Sequence, residues 1–153
     1  EVYKDKQVYE TLGFKNALEL EVGSFKGVLR GLHYQLDPYA QAKIVRVVSG
    51  KILDIVVDIR KSSKTFGKWC SHVLGNEFRQ QLYIPRGFAH GYYTIEDDTK
   101  LIYKLDHIYD PASYRGIRYD DESLDIDWSL MGDPIMSEQD LALPKWSKAE
   151  VFE

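Results

Sequence analysis

The sequence predicts an all-β domain in which two sheets pack as a sandwich or close into a barrel. Several short runs rich in β-branched and aromatic residues follow one another along the chain, and turn residues separate them. Helix-forming patterns are confined to the two ends of the chain. With 153 residues, of which 44% are hydrophobic, the chain has the length and composition of one domain with a sizeable core. We therefore treat residues 1–153 as a single domain.

Six segments carry the strand pattern most clearly. The first two, residues 42–48 and 51–59, are β-branched runs joined by Ser49 and Gly50, a two-residue connection that predicts a tight hairpin. The other strand candidates, in chain order, are residues 67–74, 80–85, 90–95 and 99–105.

Short helices are predicted at both ends of the chain. Residues 3–13 form a candidate helix that ends at Gly13. A second helix is predicted to start at Ser137, because an acidic residue, Asp140, follows this serine three residues later, as in a capping box.

Charge and cysteine content exclude several classes of protein. A net charge of −4 gives no basic surface for nucleic acid, and no apolar run approaches the roughly 20 residues that span a bilayer. The single cysteine, Cys70, excludes an intrachain disulfide framework and favours a reducing compartment, so we expect a cytoplasmic protein. The chain begins with Glu1 rather than methionine, which indicates a trimmed N-terminus.

Two glycine-bounded stretches contain the candidate chemical groups. Arg30 and His33 lie together in GVLRGLHYQ, and His90 lies in the similar run YIPRGFAHGYY. With Lys43 they suit an anionic or carbonyl-bearing ligand, because arginine binds phosphate, lysine stabilises an oxyanion and histidine is a base near neutral pH. Tyr103, in the strand run LIYK, adds a phenol that is a candidate acid.

Each of these residues also has an ordinary structural interpretation. A single buried histidine is most often a hydrogen-bonded core residue, and a strand tyrosine is most often a core aromatic. Lys43 and Arg30, each taken alone, are more often charged side chains that face solvent at a sheet edge. The functional interpretation therefore depends on the whole set.

The stretch PRGFAH has the P-x-G-x-x-H spacing of the second motif of cupin barrels, which often bind metal. A metal site needs further ligands, typically a second histidine two residues after the first and a carboxylate. That position is Gln35, and His33 and His90 without a third ligand make a weak site. We expect no metal.

Taken together, the motifs resemble the dTDP-4-dehydrorhamnose 3,5-epimerase family, the cupin-fold enzymes of activated deoxysugar synthesis. The resemblance extends from about residue 1 to about residue 145. It is carried by GVLRGLHYQ, QAKIVRVVSGKILDIVVDIRKSSKTFGKW, RQQLYIPRGFAHGY, YDPASYRGIRYDDESLDIDW and PIMSEQD. It implies a cupin-type jelly-roll barrel with short flanking helices, an isomerase without cofactor, and a homodimer.

The resemblance also implies roles for particular residues. His33 corresponds to the catalytic base, Tyr103 to the general acid, and Asp140 to the carboxylate that orients the histidine, although helix capping alone also accounts for Asp140. The substrate-binding positions implied by the resemblance are Arg30, Lys43, His90, the aromatic Tyr109, and Glu1, which is expected near the neighbouring subunit's nucleotide.

The implied reaction inverts C3 and C5 of a dTDP-4-keto-6-deoxyhexose in dTDP-L-rhamnose biosynthesis. A hydrogen beside a ketone is acidic because the carbanion spreads onto oxygen as an enolate. His33 would remove this proton, Lys43 would stabilise the enolate, and Tyr103 would supply a proton from the opposite face.

Two alternatives remain open at this point. A relative could invert one carbon only or isomerise the keto group, and a non-catalytic cupin could simply bind a sugar. Departures from the family pattern leave the exact sugar and nucleotide undetermined; they lie at residues 16–24, Ile108, Tyr114 and Gln139.

Overall fold

The computed structural model describes residues 5–153. It contains two antiparallel sheets that face each other. The strands are β1 (Leu18–Ser24), β2 (Leu29–Gln35), β3 (Lys43–Ser49), β4 (Lys51–Asp58), β5 (Trp69–Gly75), β6 (Leu82–Ile84), β7 (Phe88–Thr94), β8 (Thr99–Leu105) and β9 (Tyr114–Gly116). The first sheet has the order β1-β8-β3-β6, and the second has the order β5-β4-β7-β2-β9. Most successive strands alternate between the sheets, as in a jelly roll, so the all-β prediction is confirmed.

Short helices flank the sheets, as the sequence predicts. They are α1 (Asp5–Leu12), α2 (Glu138–Leu141) and a 3₁₀ turn (Trp146–Lys148). The first predicted helix ends as expected at Gly13, whose φ of +63° favours glycine. The predicted start of this helix, at residue 3, lies outside the described residues. Ser137 caps α2, because its Oγ accepts a hydrogen bond from the Asp140 backbone N–H at 3.0 Å. Within residues 5–153, no helix has the length and hydropathy of a membrane span.

Both faces of the second sheet are covered by apolar side chains. Ile52 and Val56 on β4 belong to the core between the sheets, together with Val45 and Leu101 from the first sheet. Alternate residues of β4 face a second core, which the chain after β9 completes; its members include Leu53, Ile55, Val57, Ile117 and Trp128. This two-sided burial explains why β4 reads as a nearly continuous apolar run rather than as an alternating pattern.

The predicted hairpin between residues 42–48 and 51–59 is wrong. The first segment is β3, which pairs with β6 and β8, whereas the second is β4, which pairs with β5 and β7 in the other sheet. Gly50 crosses between the sheets at a φ of +75°, and a Cβ there would lie 2.2 Å from Thr99 Oγ1. The glycine is therefore required by this close contact with the end of β8, not by a two-residue hairpin turn.

Asp58, at the end of β4, is expected to stabilise the following loop. Its side chain is only 2% exposed and accepts hydrogen bonds from Arg60 Nε at 2.9 Å and from the hydroxyls of Ser63 and Thr65, each at 2.6 Å. Asp58→Asn should lower the free energy of unfolding at pH 7 by about 2 kcal/mol, since the donors around this buried side chain would lose a charged acceptor. Thermal unfolding followed by circular dichroism measures this change.

The pH dependence of this loss has a defined sign. The hydrogen bonds from Arg60 hold the pKa of Asp58 below its ordinary value, so its stabilisation is present above the unfolded pKa near 4 and is lost as the pH falls. Asp120 is a matched control, because it pairs with Arg118 at 2.7 Å but is exposed. Asp120→Asn should change stability by less than about 0.5 kcal/mol. Equal losses in the two variants would contradict this account of Asp58.

Candidate active site

A cavity of about 420 Å³ lies between the two sheets and is lined by residues from both. Among the residues predicted from sequence to form a site, those that line the cavity are Arg30, His33, Lys43, His90, Tyr103 and Tyr109. Asp140 lies behind one of them, as described below. Glu1 lies outside the described residues.

Strand register places these side chains on two facing walls. On the second sheet, His33 of β2 lies directly opposite His90 of β7. On the first sheet, Tyr103 of β8 lies opposite Val45 of β3, and Lys43 is two residues away from Val45 on the same face. The two histidines therefore face the lysine and the tyrosine across the cavity.

An irregularity in β2 lets both Arg30 and His33 line the cavity. Residues three apart on a regular strand point to opposite faces, but the register with β7 shifts between these two positions. The backbones approach closely at this point, because a Cβ on Gly31 would lie 2.6 Å from the Gly91 Cα, and Gly31 has a φ of +113°. The glycines in the two motifs thus allow the bulge that brings the arginine and the histidine together.

His33 forms a hydrogen-bonded pair with a buried carboxylate. Its Nε2 lies 2.6 Å from Asp140 Oδ1. Burial opposes ionisation of Asp140, but the hydrogen bond and charge of His33 outweigh it and lower the pKa of the carboxyl group. Asp140 therefore has two contacts: its backbone N–H meets the capping Ser137 while its side chain meets His33. With Nε2 donating to the carboxylate, Nδ1 of His33 carries the lone pair of a base.

A second histidine–carboxylate pair lies deeper in the same wall. His90 Nε2 is 2.8 Å from Asp54 Oδ2, and both side chains are almost fully buried. Burial lowers the pKa of His90, although Asp54 opposes this shift. Since the His33 side chain is 24% exposed and that of His90 only 4%, His33 is the histidine more accessible to a ligand in the cavity.

The opposite wall carries a cation and a protonated phenol. Lys43 Nζ donates to the backbone carbonyl of His33 at 3.2 Å. Burial lowers the pKa of Lys43 to about 8, with Asp54 opposing the shift, so the ammonium form prevails at neutral pH. Burial, with contributions from Tyr92 and Asp54, raises the pKa of Tyr103 well above its ordinary value. Tyr103 thus keeps its proton, as a general acid requires.

Gln35 holds the loop at the rim of the cavity. Its amide nitrogen donates to the carbonyls of Tyr39 at 2.6 Å and Ile108 at 3.1 Å, and its Oε1 accepts from the Asp110 N–H at 2.8 Å. These bonds occupy the side chain at the position where metal-binding cupins would need a ligand. Among the described residues, no cluster of three histidine, cysteine or carboxylate side chains is arranged to hold a metal ion.

Aromatic residues form the outer part of the cavity. Tyr109, which is 55% exposed, packs its ring 5.8 Å from that of Tyr114, and Tyr114 in turn lies 5.4 Å from the His33 ring. Ile108, which precedes Tyr109 in the chain, is also exposed. The arrangement provides an open apolar surface next to the Arg30 guanidinium, which suits a planar base and an anionic group.

Sequence reasoning missed Asp54, Tyr92 and Gln41, all of which contribute to the site. Asp54 had a detectable signal, because it is a carboxylate within the apolar run of β4 and an inward-facing position there is unusual. Tyr92 follows His90 by two residues and so shares its face of β7. Gln41, which donates to the His107 carbonyl at 2.8 Å, had no such signal.

The jelly-roll scaffold brings a histidine–carboxylate pair, a cationic lysine and a protonated phenol to one cavity, a combination that suits acid–base chemistry on an anionic, carbonyl-bearing ligand. Comparisons with known proteins specify the class further. The sequence model of the dTDP-4-dehydrorhamnose 3,5-epimerase family matches residues 1–148. A dTDP-4-dehydrorhamnose 3,5-epimerase of Shigella flexneri is 48% identical over 129 residues, which are 84% of this chain and 71% of that protein. A relative from Neisseria gonorrhoeae has the same name, but the residues that align with this chain make up only 46% of the length of that relative.

Solved structures agree with these sequence matches. A dTDP-6-deoxy-D-glucose-3,5-epimerase from Legionella pneumophila, in complex with dTDP-4-keto-L-rhamnose, is 39% identical with a TM-score of 0.90, and the alignment covers 97% of this chain and 79% of that chain. A 3′-monoepimerase from Streptomyces bikiniensis, in complex with dTDP-quinovose, is 30% identical with a TM-score of 0.88, covering 96% and 75% respectively.

This chain belongs to the dTDP-4-dehydrorhamnose 3,5-epimerase family. The family, the cupin-type jelly roll and the isomerase class predicted from the sequence motifs are confirmed.

Proposed function

We propose that the chain inverts C3 and C5 of a dTDP-4-keto-6-deoxyhexose in dTDP-L-rhamnose biosynthesis, with His33 as base and Tyr103 as acid. One observation carries the proposal: a carboxylate-backed histidine and a protonated tyrosine line opposite walls of one cavity. Inversion of a carbon requires proton removal from one face and proton delivery to the other, and this arrangement suits both steps.

Each inversion is balanced without a redox step. His33 Nδ1 takes the hydrogen from the carbon beside the C4 ketone, and the electron pair moves onto the ketone oxygen as an enolate. Lys43, which is buried and cationic, stabilises the oxyanion. Tyr103 then donates its phenolic proton to the opposite face while the ketone re-forms. Asp140 stabilises the imidazolium that His33 has become, and solvent restores both residues.

The outer part of the cavity is proposed to hold the nucleotide. Tyr109 and the preceding Ile108 are exposed, and a base stacked on them would leave the diphosphate within reach of Arg30. Thymine as the base rests on the names of the relatives, since Ile108 and Tyr114 depart from the family pattern. His90 is proposed to bind the sugar.

Inversion of a single carbon remains the second candidate, and the likeness to a 3′-monoepimerase favours keeping it. Incubation of the chain with dTDP-4-keto-6-deoxyglucose in D₂O, followed by NMR, distinguishes the two. The proposed function predicts deuterium at both C3 and C5 and an inverted product. Exchange at one carbon only would establish the alternative, and absence of exchange at both carbons would indicate a sugar-binding protein without catalysis.

Removal of divalent metals should leave the activity unchanged. The proposed chemistry uses Lys43 where other enzymes use a metal ion, and Gln35 is engaged by three backbone groups. The measurement is the rate of epimerisation before and after exhaustive dialysis against EDTA. Activity that disappears and returns with added Zn²⁺, Fe²⁺ or Mn²⁺ would contradict the metal-free mechanism.

We also propose that the chain is a cytoplasmic homodimer. Within residues 5–153, β1 pairs with β8 alone, so its other edge offers free backbone groups to a second subunit. The expected contribution of Glu1 to the neighbouring subunit's site remains part of this proposal. Light scattering that gives the mass of a monomer at micromolar concentration would exclude the dimer.

A further inference from the structure

Asp54 is an unusual residue for the interior of this barrel. It lies on β4 between Ile52 and Val56, which belong to the apolar core, and its side chain is fully buried. Oδ2 lies 2.8 Å from His90 Nε2, whereas Oδ1 is buried and has no hydrogen-bond partner among the described residues. A buried carboxylate with one unpaired oxygen destabilises a fold, so a role beyond packing is expected.

The hydrogen bond to Asp54 determines what His90 offers to a ligand. An ionised carboxylate can only accept, so His90 Nε2 carries the proton of this bond. Within residues 5–153 no group hydrogen-bonds to the other ring nitrogen, Nδ1, and His90 lines the cavity. In the neutral ring, Nδ1 therefore presents a lone pair to the ligand and accepts a hydrogen bond instead of donating one.

Burial keeps the His90 imidazole neutral, although Asp54 opposes this effect. Burial is the main cause that lowers the pKa of His90, and the charges of Lys43 and His33 act in the same direction. The charged or titratable groups around this part of the cavity are Arg30 and His33 on β2, Lys43 on β3, Asp54 on β4, and Tyr92 and Tyr103 on β7 and β8. Asp54 is the carboxylate that raises the pKa of Lys43 against the effect of burial.

We infer that Asp54 is a positioning residue that fixes His90 as a hydrogen-bond acceptor for a hydroxyl group of the bound sugar. A hydroxyl group can donate a hydrogen bond to the unprotonated Nδ1 of His90, and a carbonyl cannot, so His90 binds a hydroxyl at this place in the pocket. The ketone oxygen then binds to Lys43. The same carboxylate supplies the negative charge that keeps Lys43 in its ammonium form. The inference rests on the proposed function for the identity of the ligand as a sugar.

The direct test is ¹⁵N NMR of the wild-type protein with labelled histidine at pH 7 and without ligand. His90 should show a protonated Nε2 and an unprotonated Nδ1. A protonated Nδ1, in either the other neutral tautomer or the imidazolium, would overturn the inference. Because this measurement needs neither a variant nor substrate, it remains decisive if Asp54→Asn does not fold or if the chain does not turn over the proposed sugar.

Asp54→Asn adds two measurements where the variant folds. The His90 tautomer should no longer be uniform, because an amide can donate to Nε2 as well as accept from it. In the pH profile of wild-type kcat/KM, the alkaline limb, where activity falls with rising pH, is expected near the Lys43 pKa of about 8. In the variant, this limb should lie at a pH lower by about one unit or more. Above that limb, activity should fall about tenfold relative to wild type, since one pH unit is a tenfold change in the protonated fraction.

Asp121→Asn is the matched control. Asp121 is also a buried carboxylate, but it holds the backbone N–H groups of Ser123 and Trp146 at 2.9 and 2.8 Å and does not line the cavity. This control should lose thermal stability and leave the His90 tautomer and the alkaline limb unchanged. If the Asp54→Asn protein behaved like the control, with the His90 tautomer and the alkaline limb of kcat/KM both as in wild type, Asp54 would have only a structural role. An inactive wild type with the expected tautomer would instead contradict the proposed function alone.

Discussion

His33→Asn should lower the turnover number by at least about 10²-fold while the fold is retained. The asparagine amide takes the place of His33 Nδ1 rather than of Nε2, so the Asp140 carboxylate, which lies 2.6 Å from Nε2, loses this partner and the variant should lose some thermal stability. The variant has no lone pair of suitable basicity to take the proton beside the ketone. Turnover is measured by NMR of the product, and circular dichroism checks the fold.

His72→Asn serves as the control for this substitution. His72 lies on β5 opposite Asp54 of β4, but its side chain is exposed, contacts Gln80 at 3.2 Å and does not line the cavity. It should turn over like wild type. If His33→Asn exchanged both sugar protons at the wild-type rate, His33 would not be the base.

Tyr103→Phe should separate proton exchange from inversion. The ring volume is nearly conserved, so packing against His90 and Tyr92, at 6.1 and 6.3 Å between ring centroids, should be retained. His33 can still form the enolate and return a proton to the same face, so exchange with deuterated solvent should persist. Inverted product should accumulate at least about 10²-fold more slowly, because the acid on the opposite wall is lost.

Tyr83→Phe is the matched control for the loss of a phenol. Tyr83 lies on β6 next to Phe14, outside the cavity lining, and its variant should exchange and invert like wild type. Intact inversion in Tyr103→Phe would assign the acid to another residue, for which Tyr109 is the first candidate at the rim.

Local sequence patterns predicted most strands but not their partners. The runs 42–48 and 51–59 have the composition of strands, and both are strands. The two strands do not pair with each other. The partners of β3 are β6 and β8, which lie about 40 and 55 residues further along the chain. The turn residue Gly50 looked like a hairpin signal because its contact with Thr99 is invisible in the local sequence.

The site was predictable to the extent that its residues lie in distinctive motifs. His33, His90, Lys43 and Tyr103 were singled out, and the fold brings them to one cavity. Asp54 could not be assigned from sequence alone, because its contact with His90 depends on the register of β4 against β7.

Other parts of the site also depend on tertiary structure. The burial that lowers the pKa of Lys43 and raises that of Tyr103 is a property of the closed barrel, which no local pattern contains. Glu1 lies outside the described residues, so its expected role stays a prediction.

A single-turnover reaction in D₂O tests the two-residue mechanism most directly. Enzyme equilibrated in D₂O, and present in excess over the protonated substrate, is quenched after one turnover, and the inverted product is examined by NMR. Because His33 removes the substrate hydrogen and Tyr103 delivers a different one, each inverted carbon should carry solvent deuterium. Inverted product that retains the substrate's own hydrogen at those carbons would mean that one group carries the proton from face to face, and would contradict the mechanism.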